Sequence, residues 1–247
     1  MFDLKKIYTA VILLLLYFPL FALAVLSFRG GPTPFYWYQK AFSQPQLMLV
    51  LKNSIIIAFW TMIFSTVLGT LTAIGLYKKN TKAPVWFESL IHLPLVLPEI
   101  VMGLALLIWF VFLNITLGKL SVVLAHTTFS VSYVILILRA RFKNMDPLQE
   151  EAAADLGATP WKTFWYVTFP FLLPAIVSGA LLSFTLSFDD FLITFFTAGV
   201  GSDTLPVQIY SMMRFGITPE MNAISVIVLL FTIIAVLMLF RLRSEKI

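Results

Sequence analysis

Six apolar stretches, each long enough to cross a lipid bilayer, leave this 247-residue chain few ways to fold. About 20 apolar residues cover the hydrocarbon core as a helix. Lipid offers no partner for a backbone N–H or C=O, so each stretch must satisfy its own as helix. The stretches run over 7–27, 53–77, 88–113, 119–139, 169–198 and 221–241. The expectation is an all-α membrane protein with six transmembrane helices, forming a single transmembrane domain over 1–247. Composition agrees, with 60% hydrophobic and 12% charged residues, where a soluble domain carries about 25% charged. Cysteine is absent and the two histidines are scattered, so neither a disulfide framework nor a metal site is expected. The net charge of +5 calls for no nucleic-acid partner, since cations in a membrane chain report orientation.

Placing the N-terminus in the cytosol puts Lys5, Lys6, Lys78, Lys79, Lys82, Arg139, Arg141, Lys143, Lys162, Arg241, Arg243 and Lys246 inside. Arg29, Lys40, Lys52, Lys119 and Arg214 then lie outside, a bias of 12 to 5. Cytosolic loops carry the excess of Lys and Arg, so the chain reads as N-in and C-in. The aromatic run Phe35–Tyr38 falls at the outer interface, where amphipathic rings settle. The first apolar run, behind Lys5 and Lys6, is long for a cleaved signal peptide and is expected to stay.

One long polar segment interrupts the apolar pattern on the cytosolic side, over 140–168. Within it, Asp146-Pro147 followed by Gln149 resembles a capped helix start. Leu148 to Ala154 is rich in strong helix formers. Gly157 suits the left-handed residue that ends a helix, and Thr159-Pro160 opens a second short helix carrying Trp161, Phe164 and Trp165. Two short helices joined at a glycine form a compact knob. A plain surface hairpin on the membrane would satisfy the same local signals.

Glu151-Ala152-Ala153, three residues, Gly157, nine residues, then Val167-Thr168-Phe169-Pro170 closely resembles the signature E-A-A-x3-G-x9-I-x-L-P of ABC importer permeases, with Val167 and Phe169 as apolar departures. The resemblance implies the type I ABC importer permease (MetI-like) fold, with this loop as the cytosolic coupling helix that docks on a separate ATPase. It implies contacts there from Glu151, Ala152, Ala153, Gly157, Thr159 and Trp161. The stretches at 93–107, 182–199 and 204–223 are similar to the second permease of spermidine/putrescine importers. The partners so implied are a homologous permease in a heterodimer, two ATP-binding cassette subunits, an external substrate-binding protein and a polyamine cargo, in a bacterial inner membrane. ATP and magnesium would sit on the ATPase, and this chain would hold no cofactor and catalyse nothing. Alternating access would follow, with the knob passing movement to spans three to five.

Glu99, Asp189 and Asp190 fall within apolar spans. Such acids usually face a bundle interior or an aqueous path, and carboxylates suit a polycation stripped of water. The three are therefore candidates for a polyamine path. Neighbours on a helix point about 100° apart, so Asp189 and Asp190 cannot both face one pore; one lines it while the other pairs with a neighbouring helix. Pro94 and Pro98 in span three are expected to free carbonyls toward a cavity. Counted along an unbroken helix, Glu99 lies about 15–18 Å and Asp189 about 20–30 Å from the inner ends. His92 and His126 are expected to hydrogen-bond to neighbouring helices. The loop 199–220 is expected to combine a short helix at the outer mouth, against the binding protein, with solvated connector.

Three function classes compete. An intramembrane enzyme lacks a nucleophile–base set or H-E-x-x-H. A self-powered pump lacks a Walker A loop. A secondary carrier leaves the long docking segment unexplained. An ABC permease accounts for all of these, with a different small solute as the alternative cargo.

Overall fold

The computed structural model describes residues 4–78, 84–214, 216 and 218–244, and their side chains except those of 4, 5, 78, 231 and 235–244. Every regular element among them is helical. The orientation argument draws partly on Lys5, Lys78, Lys79, Lys82, Arg241, Arg243 and Lys246, whose side chains lie outside that description.

The chain falls into two compact units, Met1–Leu49 with Gln208–Ile247, and Val50–Val207. In the first, α1 (Leu4–Leu26) is the first apolar span and packs with α12 (Pro219–Ser244), the last. The link after α1 is not a plain loop, because Tyr36–Ser43 forms a helix, α2. Its aromatics give it a floor: the rings of Phe28, Phe35 and Tyr38 lie 5.2–6.2 Å apart. Lys40 and Gln44 both reach the buried Glu220 at the start of α12, Lys40 at 3.5 Å.

The second unit holds the elements that matter for function. Helix α3 (Pro45–Lys78) is longer than its apolar stretch and begins at a proline, where a missing N–H costs nothing. Helix α6 (Lys119–Phe142) is the most buried element and ends with Arg139 and Arg141 in its last turn, where cations complement the helix dipole. Its Val134, Leu138 and Phe142 pack against Leu172 and Ala175 of α9 (Phe169–Asp189) and Ala73 of α3. Phe142 stacks on Tyr77 with ring centroids 4.2 Å apart.

Two expected spans are broken. The third divides into α4 (Val85–Val96) and α5 (Glu99–Phe112), bent by 115°. Pro98 has no N–H to continue α4, and a residue before proline avoids the helical region, so Leu97 is extended at ψ 136°. Glu99 is thus the first residue of a new helix, and its depth cannot be counted from the start of α4. The fifth ends at Asp189; Asp190 is extended at ψ 131°, and α10 (Leu192–Thr197) starts afresh. Helix α11 (Leu205–Met213) occupies part of the loop 199–220, so the short helix expected in that loop is present. Asn53 braces the approach to it, donating to the carbonyls of Gly201 and Asp203 at 3.1 and 3.0 Å, while Ser54 Oγ accepts from the Leu205 amide at 2.8 Å.

Upstream, α7 (Leu148–Asp155) is a separate short helix, but α8 (Pro160–Thr163) is not. It passes through one π-helical turn, Phe164–Thr168, straight into α9. Pro170 explains the wide turn, since its ring crowds the carbonyl four residues back and a local widening relieves the clash. The knob is therefore one short helix joined to the tip of a spanning helix, not two free pieces.

Helices α5 and α10 pack closely at Gly103. A Cβ there would lie 2.8 Å from Phe196 Cδ2 and 3.4 Å from the Ile193 Cα. Gly103→Val is expected to lower the thermal unfolding midpoint of the detergent-purified protein, since overpacking costs about 1–3 kcal/mol; Gly103→Ala should lower it less.

Candidate functional site

The polar segment keeps the capping chemistry its sequence advertises. Asp146 Oδ1 accepts from the Leu148 amide at 3.0 Å. Helix α7 closes with the Gly157 N–H on the Ala154 carbonyl at 2.8 Å and the Ala158 N–H on the Ala153 carbonyl at 3.0 Å. That pairing is a Schellman motif, and Gly157 has the left-handed φ of +83° it needs. Thr159 Oγ1 then accepts from the Lys162 amide at 3.4 Å, with Pro160 as first helical residue.

Both roots of the segment are anchored. Met145 is buried beside Phe142 and Leu172. Thr168, 1% exposed, donates to Glu150 Oε1 and so ties α7 to the π turn. Arg141 Nε donates to the Phe171 carbonyl at 3.0 Å, and its guanidinium lies 4.0 Å from the Phe171 ring centre. Between the roots, Glu151, Ala152, Gly157, Thr159 and Trp161 are exposed and Ala153 is half-buried. Leu156 is 90% and Trp161 69% exposed. A rigid, capped platform that offers apolar side chains from a polar segment has the character of a docking surface.

The second site gathers the acids. Glu99, Asp189 and Asp190 all line one cavity of about 430 Å³, with Phe129, Tyr133, Phe191 and the last turns of α9. They are not equivalent. Glu99 and Asp189 are exposed, whereas Asp190 is buried. Asp190 Oδ2 accepts from the Thr194 amide at 2.9 Å, Thr194 Oγ1 at 3.1 Å and His126 Nε2 at 3.1 Å; its Oδ1 accepts from the Ile193 amide at 3.3 Å. Asp190 is thus the cap of α10 and the partner of a histidine on α6, with no oxygen left over. Of the two adjacent aspartates, Asp190 is the one paired with another helix and Asp189 is the exposed one. Extended backbone at Asp190 also leaves the last carbonyls of α9 without helical partners, and that electronegative end borders the same cavity.

His126 bonds as expected to neighbouring helices, to Asp190 and, through Nδ1, to Ser187 Oγ at 2.7 Å. His92 does not; its nearest charged partner is Glu88, one turn back on its own helix, at 3.8 Å. Glu88 is the residue that sequence reasoning missed. It takes Arg139 of α6 bidentately, at 2.6 and 2.9 Å, beside a second cavity of about 670 Å³. The signal was an acid at the edge of an apolar span, with Arg139 counted only for its sign.

Among the described residues no cluster of His, Cys, Asp or Glu could hold a metal ion.

Residues 65–244 match the family of binding-protein-dependent transport system inner membrane components. The chain belongs to that family. As a permease of this kind it is similar over almost its whole length to curated relatives. It is 34% identical over 252 aligned positions to the spermidine/putrescine transport system permease protein PotC of Haemophilus influenzae, covering 99% of this chain and 98% of that one. It is 36% identical over 228 positions to the putrescine transport system permease protein PotI of Escherichia coli, covering 87% and 81%. A bacterial ABC transporter that imports the acidic polysaccharide alginate has the same fold, with a TM-score of 0.73 at 13% identity over 98% of this chain and 93% of that one. The inward-facing methionine transporter MetNI aligns with a TM-score of 0.67 at 16% identity, over 82% and 98%. The permease fold is therefore that of type I ABC importers, all-helical among the described residues, which include four helices long and apolar enough to span and a fifth if the bent α4–α5 pair counts as one. Helix α12 supplies the last apolar segment, described as such over Pro219–Ile234.

Proposed function

We propose that this permease is half of the membrane path of an ATP-driven polyamine importer in a bacterial inner membrane. Its N- and C-termini face the cytosol. It pairs with a homologous permease, receives cargo from an external binding protein, and is driven by two ATPase subunits that carry the ATP and magnesium. The segment 146–168 is the ATPase contact, through Glu151, Ala152, Ala153, Gly157, Thr159 and Trp161. Glu99 and Asp189 face the cargo, while Asp190 holds the wall behind them.

The observation that carries the reading is the cavity in which two exposed carboxylates and a helix C-terminus meet. All three favour cations, and the aromatic rings of Phe129, Tyr133 and Phe191 line the same space, where ring faces add to the attraction for an ammonium group. Similarity to spermidine/putrescine and putrescine permeases supports the same cargo class. Reconstitution in proteoliposomes tests it. Radiolabelled spermidine or putrescine should enter only when the partner permease, the ATPase, the loaded binding protein and MgATP are all present. Uptake by the purified chain alone, without nucleotide, would overturn it.

A further inference from the structure

We propose that His126 is a positioning residue of the cation path: by holding Asp190 it fixes the break between α9 and α10 so that the Asp189 carboxylate, and not that of Asp190, is presented to the cavity. The inference deepens the proposed function and rests on it.

Two adjacent aspartates at a helix end could in principle trade places. A rotation of about 100°, one residue along a helix, would turn one out and the other in. The structure gives Asp190 four hydrogen bonds, of which three come from α10 and its first turn. Those three travel with α10 and would follow any tilt of it. The fourth, from His126 Nε2 at 3.1 Å, is the only one of the four that comes from another part of the bundle, the buried face of α6. His126 is fully buried and reaches both sides of the break, with Ser187 before it and Asp190 and Thr194 after it. Removing the imidazole takes away the bond that ties Asp190 itself to α6 while leaving α10 capped; further along, α6 still holds α10 through Ser121 Oγ on the Thr197 carbonyl at 2.8 Å and through Ala125 and Phe129 against Ile193. The hydrogen bonds of this cluster run among His126, Ser187, Asp190, Ile193 and Thr194 and do not include the Asp189 side chain, so His126 acts on the cargo through the direction in which the chain leaves α9.

The two ring nitrogens allow the roles to be separated. An Asn amide reaches about as far as Nδ1 and a Gln amide about as far as Nε2, so His126→Asn keeps a Ser187 partner and loses Asp190, while His126→Gln does the reverse. The chain has no cysteine, so Asp189→Cys provides a single thiol whose accessibility can be followed with a cationic methanethiosulfonate reagent.

The experiment compares uptake per assembled, ATPase-active importer in proteoliposomes. For His126→Asn the rate should fall by about tenfold, equivalent to about 1.4 kcal/mol of lost interaction with the cargo. Adding Asp189→Asn should then lower it no further, because the carboxylate is already misplaced. His126→Gln should restore most of the rate, and labelling of Asp189→Cys should slow in the His126→Asn background. If His126→Asn does not assemble, Thr194→Val, which loosens the same cluster, should give the same slowed labelling. A merely structural His126 would reduce the yield of complex while the surviving complexes transport and label normally, and that result overturns the proposal. So does a multiplicative loss in the double variant. Normal uptake with Asp189→Asn alone would instead remove the underlying path reading, and this proposal with it.

Discussion

Asp189→Asn in the assembled importer is expected to lower the maximal rate of polyamine uptake by tenfold or more, and Glu99→Gln by a similar factor. Each loses a charged hydrogen-bond acceptor for an ammonium, an interaction of about 1.5–3 kcal/mol, and about 1.4 kcal/mol is a factor of ten. The half-saturating external concentration should change little, because the binding protein makes the first capture and the permease acts on what it is handed. The two losses should be nearly multiplicative if the carboxylates hold different ammonium groups. Asp190→Asn should behave differently: it weakens the buried contact to His126 and the cap of α10, so the amount of complex recovered should fall first. Initial-rate uptake with matched ATPase counts separates these outcomes. Wild-type rates in both Asp189→Asn and Glu99→Gln would remove both carboxylates from the path.

The two acids were legible as candidates, but their arrangement was not. A carboxylate in an apolar stretch stands out against its surroundings, so Glu99, Asp189 and Asp190 could be found by inspection. What sequence could not supply was the pair of breaks that brings them together. Pro94 and Pro98 are tolerated in membrane helices when neighbours satisfy the freed carbonyls, so a straight span and a 115° bend read alike. The break at Asp190 carries no proline or glycine; it depends on a carboxylate turning back to cap the next helix and on His126, 64 positions away. Apolar faces all around also remove the polar–apolar contrast that tells a buried face from a lipid-facing one in soluble helices. Helix α2 was hidden for another reason, since glycines and prolines just before it read as loop and its stability comes from ring contacts.

The polar segment 146–168 was the reverse case. Its caps are local, set by Asp146, Gly157 and Thr159 within a few residues, so they could be read directly. The tertiary ties at its roots, Glu150 with Thr168 and Arg141 with Phe171, join residues 18 and 30 positions apart. No local rule points to them. Their consequence is mechanical. Because α8 runs through the π turn into α9 and Glu150 clamps α7 to that turn, a push on the exposed platform would be delivered to the helix that ends at Asp189. The platform and the cavity are opposite ends of one continuous helical stretch, Pro160–Asp189.

Gly157→Trp should therefore leave membrane insertion and permease pairing intact while cutting recovery of the ATPase in co-purification by about a hundredfold, the effect of losing a strong interface anchor. Among the described residues, its two chain neighbours aside, nothing lies within 4 Å of where a Cβ would stand, so the new side chain starts into open space on the exposed platform. The remaining cost is the left-handed backbone at φ +83°, about 1–2 kcal/mol for an ordinary L-residue. Gly157→Asn controls for that term, because asparagine enters this conformation more readily and keeps the Schellman closure. It should retain most ATPase binding. If asparagine loses the ATPase as completely as tryptophan does, the backbone turn and not the surface is responsible. If tryptophan co-purifies normally, α7 and its glycine are not where the ATPase sits, and the lever from platform to Asp189 has no hand on it.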